Sequence, residues 1–112
     1  MQTNSKYLPY IGELDAVRLA ANQSPGLSFL ENYPNPFHSE TYIQFSVRIA
    51  GNAEVRIFDM MEKEVATIFN DFAESGKPYS LRFDAGSLPA GIYFARLKCG
   101  NQYWTNKMVL LK

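Results

Sequence analysis

From Leu27 to the end of the chain, apolar and polar residues alternate in short runs broken by turn-forming residues. Thr41-Tyr-Ile-Gln-Phe-Ser-Val47 has a period of two. Ile43, Phe45 and Val47 fall on one face, and Tyr42, Gln44 and Ser46 on the other. Ala53–Asp59 repeats the pattern, with Val55 and Ile57 facing in and Glu54 and Arg56 facing out. Further strands are predicted over Leu27–Glu31, Glu64–Phe69, Tyr79–Asp84 (Leu81 and Phe83 inward), Ile92–Lys98 and Tyr103–Leu111 (Trp104, Met108 and Leu110 inward). Between them lie Tyr33-Pro-Asn-Pro-Phe37, Ala50-Gly-Asn52, Met60-Met-Glu-Lys63, Ser75-Gly-Lys-Pro78, Ala85–Gly91 and Gly100-Asn101, all rich in turn formers. Pro34 and Pro36 rule out a central strand where they stand, because each removes a ladder donor. About seven strands at a spacing of roughly 8–12 residues, with no helix interrupting them, predict an antiparallel β-sandwich of immunoglobulin type.

Residues 1–26 break the pattern. Tyr7–Gly12 is irregular, and Glu13–Asn22 has the spacing of one short helix that carries Leu14 and Val17 on a face. A helix of that length is marginal alone. We read 1–26 as a linker or the tail of an upstream region, and 27–112 as the folded domain. Met1-Gln-Thr-Asn-Ser-Lys6 carries no basic segment followed by an apolar one. That fits either a cytoplasmic protein or a piece of a longer chain whose export signal lies elsewhere.

At 112 residues the chain is one domain, able to bury about two-thirds of its unfolded surface. With 46% hydrophobic and 20% charged residues it is globular. Its 14% aromatic content favours strands. Lys and Arg number 11 and Asp and Glu 11, so the net charge is zero, which argues against a nucleic-acid partner. No apolar run approaches the roughly 20 residues of a membrane span. One Cys makes no intrachain disulfide, and one His provides neither a multi-His metal site nor a His pair for proton transfer. Cys99 and His38 are the sole candidate nucleophile–base pair, and nothing flanking Cys99 suggests activation. No glycine-rich phosphate loop opens a helix. Catalysis, cofactors and a metal are therefore not expected.

A binding surface is more plausible. Tyr42, Tyr79 and Tyr103 are candidate outward aromatics, which could stack on sugars, dock a protein, or simply cover their cross-strand neighbours. Leu88-Pro-Ala-Gly-Ile-Tyr93 resembles the tyrosine corner of Greek-key sandwiches, in which a Tyr at a strand start bonds back to the turn before it. Gly91 would then supply a backbone conformation closed to other residues.

Taken together, Leu30-Glu-Asn-Tyr-Pro-Asn-Pro-Phe37, Val55-Arg-Ile-Phe-Asp-Met60, Glu64-Val-Ala-Thr67, Leu88–Leu97 and Lys107-Met-Val-Leu-Leu-Lys112 resemble, in order and spacing, the C-terminal sorting domains of the type IX (Por) secretion system of Bacteroidetes. The resemblance covers residues 27–112. Two places depart from it. The family usually has a Gly in the turn occupied here by Met60–Lys63, and an Asn-Pro where this chain has His38-Ser39. The resemblance implies a non-catalytic immunoglobulin-like module at the end of a larger exported protein. It implies passage through the periplasm, recognition by the outer-membrane translocon, and removal by a surface sortase. The cargo is then joined to lipopolysaccharide or released. Pro34, Asn35, Pro36, Pro89, Gly91 and Tyr93 would be its structural motif, and Gly91, Tyr93, Lys107 and Lys112 its recognition residues. Lys107 and Lys112 read equally well as edge charges that discourage aggregation. An accessory sandwich that binds carbohydrate or protein is the alternative.

Overall fold

A computed structural model describes residues 28–112 of the chain. The expectations for residues 1–26, including the short helix, lie outside the described residues. Seven strands follow one another: β1 (Phe29–Tyr33), β2 (Glu40–Ser46), β3 (Gly51–Phe58), β4 (Glu64–Ala73), β5 (Tyr79–Asp84), β6 (Gly91–Cys99) and β7 (Gln102–Leu110). They form two antiparallel sheets, ordered β1-β2-β5 and β4-β3-β6-β7. The fold is the expected all-β, immunoglobulin-like sandwich. In a constant-type immunoglobulin domain the fourth strand sits beside the fifth. Here β4 pairs with β3 instead.

Period-two alternation delivers the core. Ile43, Phe45 and Val47 from one sheet meet Ala53, Val55, Ile57, Ala95, Leu97, Met108 and Leu110 from the other, all essentially inaccessible to solvent. Trp104 and Leu81 pack against this cluster while keeping part of their surface exposed. Phe45, Phe69 and Tyr79 form an aromatic group, with Phe45 and Tyr79 stacked at 5.1 Å. Each large side chain so buried contributes on the order of 1.5–3 kcal/mol.

Four local expectations change. Gly51 and Asn52 belong to β3 and not to a turn. Gln44 and Ser46, expected to face solvent, are buried, the short Ser46 opposite Phe29 and Gln44 between Glu31 and Ser80, whereas the larger Tyr42 on the same face stays exposed. Tyr79 faces the core, since it lies opposite Phe45 and has the same parity as Leu81 and Phe83. β4 runs on to Ala73, and the pairing of β3 with it shifts twice, between Val55 and Arg56 and between Ile57 and Phe58. Those bulges let Val65, Ala66, Ile68 and Phe69 all pack on the core without alternating, and they blunt an edge strand against unwanted pairing.

Candidate functional site

The terminal strand β7 is an edge strand, bonded to β6 on one side only. Its other side is partly covered by the proline-rich segment after β1. The Tyr33–Pro34 and Asn35–Pro36 peptides are cis. With no amide hydrogen at either proline, this segment cannot continue a ladder, and side-chain bonding replaces it. Asn35 acts as a one-residue strand mimic. Its Nδ2 donates to the Lys107 carbonyl at 2.9 Å, and its Oδ1 accepts from the Val109 amide at 2.9 Å. Phe37 then makes a true bridge: its N–H donates to the Val109 carbonyl, and its carbonyl accepts from the Leu111 amide. The Phe37 ring is buried, edge-on to Phe83 at 6.3 Å.

A polar chain beneath this strap ties both sheets together. Asn106 Nδ2 donates to Asn32 Oδ1 at 2.6 Å, Asn32 Nδ2 donates to Thr41 Oγ1, and Thr41 Oγ1 donates to the Pro34 carbonyl at 2.8 Å. The opening and closing motifs, more than 70 residues apart, are therefore one structure. Their union was not legible from the sequence. Its one signal was the Asn-Pro-Phe string, whose Asn and Phe are the residues that bond to the strand and fill the core.

Pro89, Gly91 and Tyr93 lie at the other approach to β6. The Tyr93 hydroxyl donates to the Pro89 carbonyl at 2.6 Å, which is the bond of a tyrosine corner. Burial, and secondarily the Asp59 carboxylate, push the Tyr93 hydroxyl pKa up. Gly91 has φ of +153°, with nothing near the place a Cβ would occupy. Beside this corner, Met60, Met61, Val65 and Leu88 line a shallow groove of about 360 Å³. Lys107 is exposed on β7 and, unlike Arg56, Arg82 and Arg96, is in no ion pair among the described residues. Lys112 Nζ donates to the Gly86 carbonyl at 2.9 Å. Gly91 and Tyr93 therefore build a corner, whereas the side chain of Lys107 is presented outward.

The other candidates do not assemble. Cys99 is buried, its thiol directed at the Ile49 carbonyl, and burial pushes its pKa up, away from a reactive thiolate. Tyr42 and Tyr103 are exposed on the outer faces of opposite sheets and Tyr79 is half-buried against the core, so the three rings form no common platform. Among the described residues no three His, Cys, Asp or Glu side chains group as metal ligands, and no helix is long and apolar enough to cross a membrane.

The comparisons agree with this geometry. No curated protein matches the chain. Among solved structures it resembles dimeric latent PorU from Porphyromonas gingivalis, with a TM-score of 0.59 and 17% identity. The likeness covers 76% of this chain but 9% of that one, so it speaks to the sandwich fold alone. The family model for the secretion system C-terminal sorting domain matches residues 31–111, from the strand before the proline strap to the last residue the strap bonds. The chain belongs to the family of type IX secretion system C-terminal sorting domains, whose role is that of a sorting signal.

Proposed function

We propose that residues 27–112 are the folded address of a larger exported protein, that 1–26 link it to an upstream cargo, and that the module itself catalyses nothing. The translocon reads the domain in the periplasm. A surface sortase then cleaves near the domain entrance, and the cargo is anchored to lipopolysaccharide or released. In this reading Lys107 and Lys112 contact the machinery, while Gly91 and Tyr93 hold the corner from which β6 presents β7.

The observation that carries the reading is the strap. The matched region, residues 31–111, contains both segments that bond to each other, Asn35–Phe37 and Lys107–Leu111, and ends at the last residue the strap bonds. An edge strand held in place by side-chain bonds is a fixed surface that a partner can recognise. The test is a periplasmic reporter fused ahead of the whole chain in a type IX-competent host. Arrival of the reporter at the surface or in the medium is expected. A reporter that stays periplasmic overturns the proposal.

A further inference from the structure

The strap covers only part of the β7 edge. The Lys107 carbonyl, both main-chain groups of Val109 and the Leu111 amide point away from β6 to Asn35 and Phe37. Main-chain groups alternate sides along a strand, so Tyr103 and Thr105, of the same parity, direct their N–H and C=O to that same outer side. Among the described residues no main-chain partner meets them there. Tyr103 is 67% exposed.

Directly beside this open stretch, on the outer face of the sheet, is a depression of about 500 Å³. Arg56, Arg96 and Lys98 line it against one carboxylate, Glu54, with Phe58, Tyr103 and Thr105. Arg56 bridges Glu54 and Glu64, and Arg96 pairs with Glu62. Lys98, opposite Tyr103, and Lys107 have no acidic partner among the described residues. An added strand that bonds to Tyr103 and Thr105 would project alternate side chains toward these cations.

We propose that the Tyr103–Thr105 edge of β7 is a strand-addition site, and that its occupant is an extended acidic segment of a partner protein. The partner's main chain bonds to the N–H and C=O groups of Tyr103 and Thr105, and its carboxylates face Lys98 and Lys107. Asn35 sets the register, because it closes the edge at Lys107 and so limits the site to the stretch before it. This proposal rests on the sorting-signal reading and names the surface through which that signal is read.

The test titrates the isotope-labelled 112-residue chain with an end-blocked peptide alternating glutamate with valine, and with its lysine counterpart. The acidic peptide is expected to shift the amide resonances of Tyr103 and Thr105 and slow their hydrogen exchange; the lysine peptide is expected to do neither. Thr105→Pro removes an outward donor that has no partner, so melting should be unchanged while acidic-peptide affinity falls about tenfold or more. Should that variant melt early, Lys98→Glu with Lys107→Glu takes its place, and it is expected to reverse the peptide preference. Equal binding of both peptides, shifts confined to other strands, or a Thr105→Pro chain that binds like the parent overturns the proposal. So does a concentration-dependent dimer broken by Thr105→Pro, which would make a second copy the occupant. In the reporter assay, failure of the unaltered chain to export counts against the sorting reading. Full export of both variants counts against this edge alone.

Discussion

Gly91 and Glu62 both have positive φ, and they predict opposite responses to substitution. At Gly91 the space is open, so the obstacle to a side chain is the backbone conformation alone. Gly91→Val is expected to lower stability by about 1–3 kcal/mol, read by denaturant unfolding. Glu62 has φ of 67° in the turn between β3 and β4. A left-handed conformation costs a non-glycine residue roughly 1–2 kcal/mol, and the exposed Glu62–Arg96 pair returns only about 0.2–1 kcal/mol. Glu62→Gly is therefore expected to raise the melting temperature by a few degrees. Tyr93 predicts a pH effect. Its pKa is raised in the fold, so below its ordinary value near 10 the residue is neutral in both states and stability is unaffected. Above that value the unfolded chain loses the proton first, and stability falls as pH rises. Cys99, also raised by burial, begins the same loss near its ordinary value of about 8.5. Tyr93→Phe should cost about 1–2 kcal/mol at neutral pH and flatten the fall above pH 10, leaving the earlier cysteine limb in place.

At the scale of the element, the strap on β7 behaves as a strand whose bonds come half from the Asn35 side chain and half from the Phe37 main chain. Asn35→Ala deletes both Asn35 bonds and leaves the Lys107 carbonyl and Val109 amide to water; a cost of about 1–2 kcal/mol is expected. Hydrogen exchange should quicken at the Val109 amide and not at the Leu97 amide in the centre of the sheet. Asn35→Asp keeps an acceptor for Val109 but sets a carboxylate oxygen against the Lys107 carbonyl, so at neutral pH it should cost at least as much as Asn35→Ala while leaving the Val109 amide better protected than Asn35→Ala does. Exchange at Val109 unaffected by Asn35→Ala would refute the strap. The strands themselves were legible because alternation at Ile43, Phe45, Val55, Ile57, Leu81 and Phe83 is local and follows from burying one face. The strap was not, because Asn35 and Phe37 act across more than 70 residues, and no periodicity encodes which edge a turn will cover. β4 was legible only in part for a related reason. Its bulges at the β3 register shifts place Val65, Ala66, Ile68 and Phe69 on one side and erase the alternation that marks a strand. Tyr79 shows the converse. The parity of Leu81 and Phe83 places its ring inward, while its hydroxyl reaches the surface and accepts from the Glu74 amide at 2.8 Å.

For the whole molecule the question is whether the C-terminal motif is a detachable tag or a wall of the domain, since shortening a sorting signal tests recognition only if the fold survives. Met108 and Leu110 are 0% and 1% exposed, and they sit on the core face of β7 with Leu97 and Ile57. Removing one such side chain costs about 2–5 kcal/mol, so losing both approaches the roughly 5–15 kcal/mol that holds a domain together. Deleting residues 107–112 also strips Asn35 and Phe37 of the main-chain groups they bond. That chain is expected to lose its near-ultraviolet circular dichroism and its cooperative melting, so its failure to be exported would say nothing about which residues the machinery reads. Deleting only Leu111 and Lys112 removes one strap bond from the Leu111 amide and the exposed contact of Lys112 with the Gly86 carbonyl, and leaves the core filled. That chain should still melt cooperatively, with a loss of about 1–2 kcal/mol. If it folds but is not exported, Lys112 or the chain end is part of the address; if it folds and is exported, recognition lies upstream on the strand. A cooperative, native-like melt of the chain ending at Asn106 would mean that β7 is not the structural wall its burial indicates.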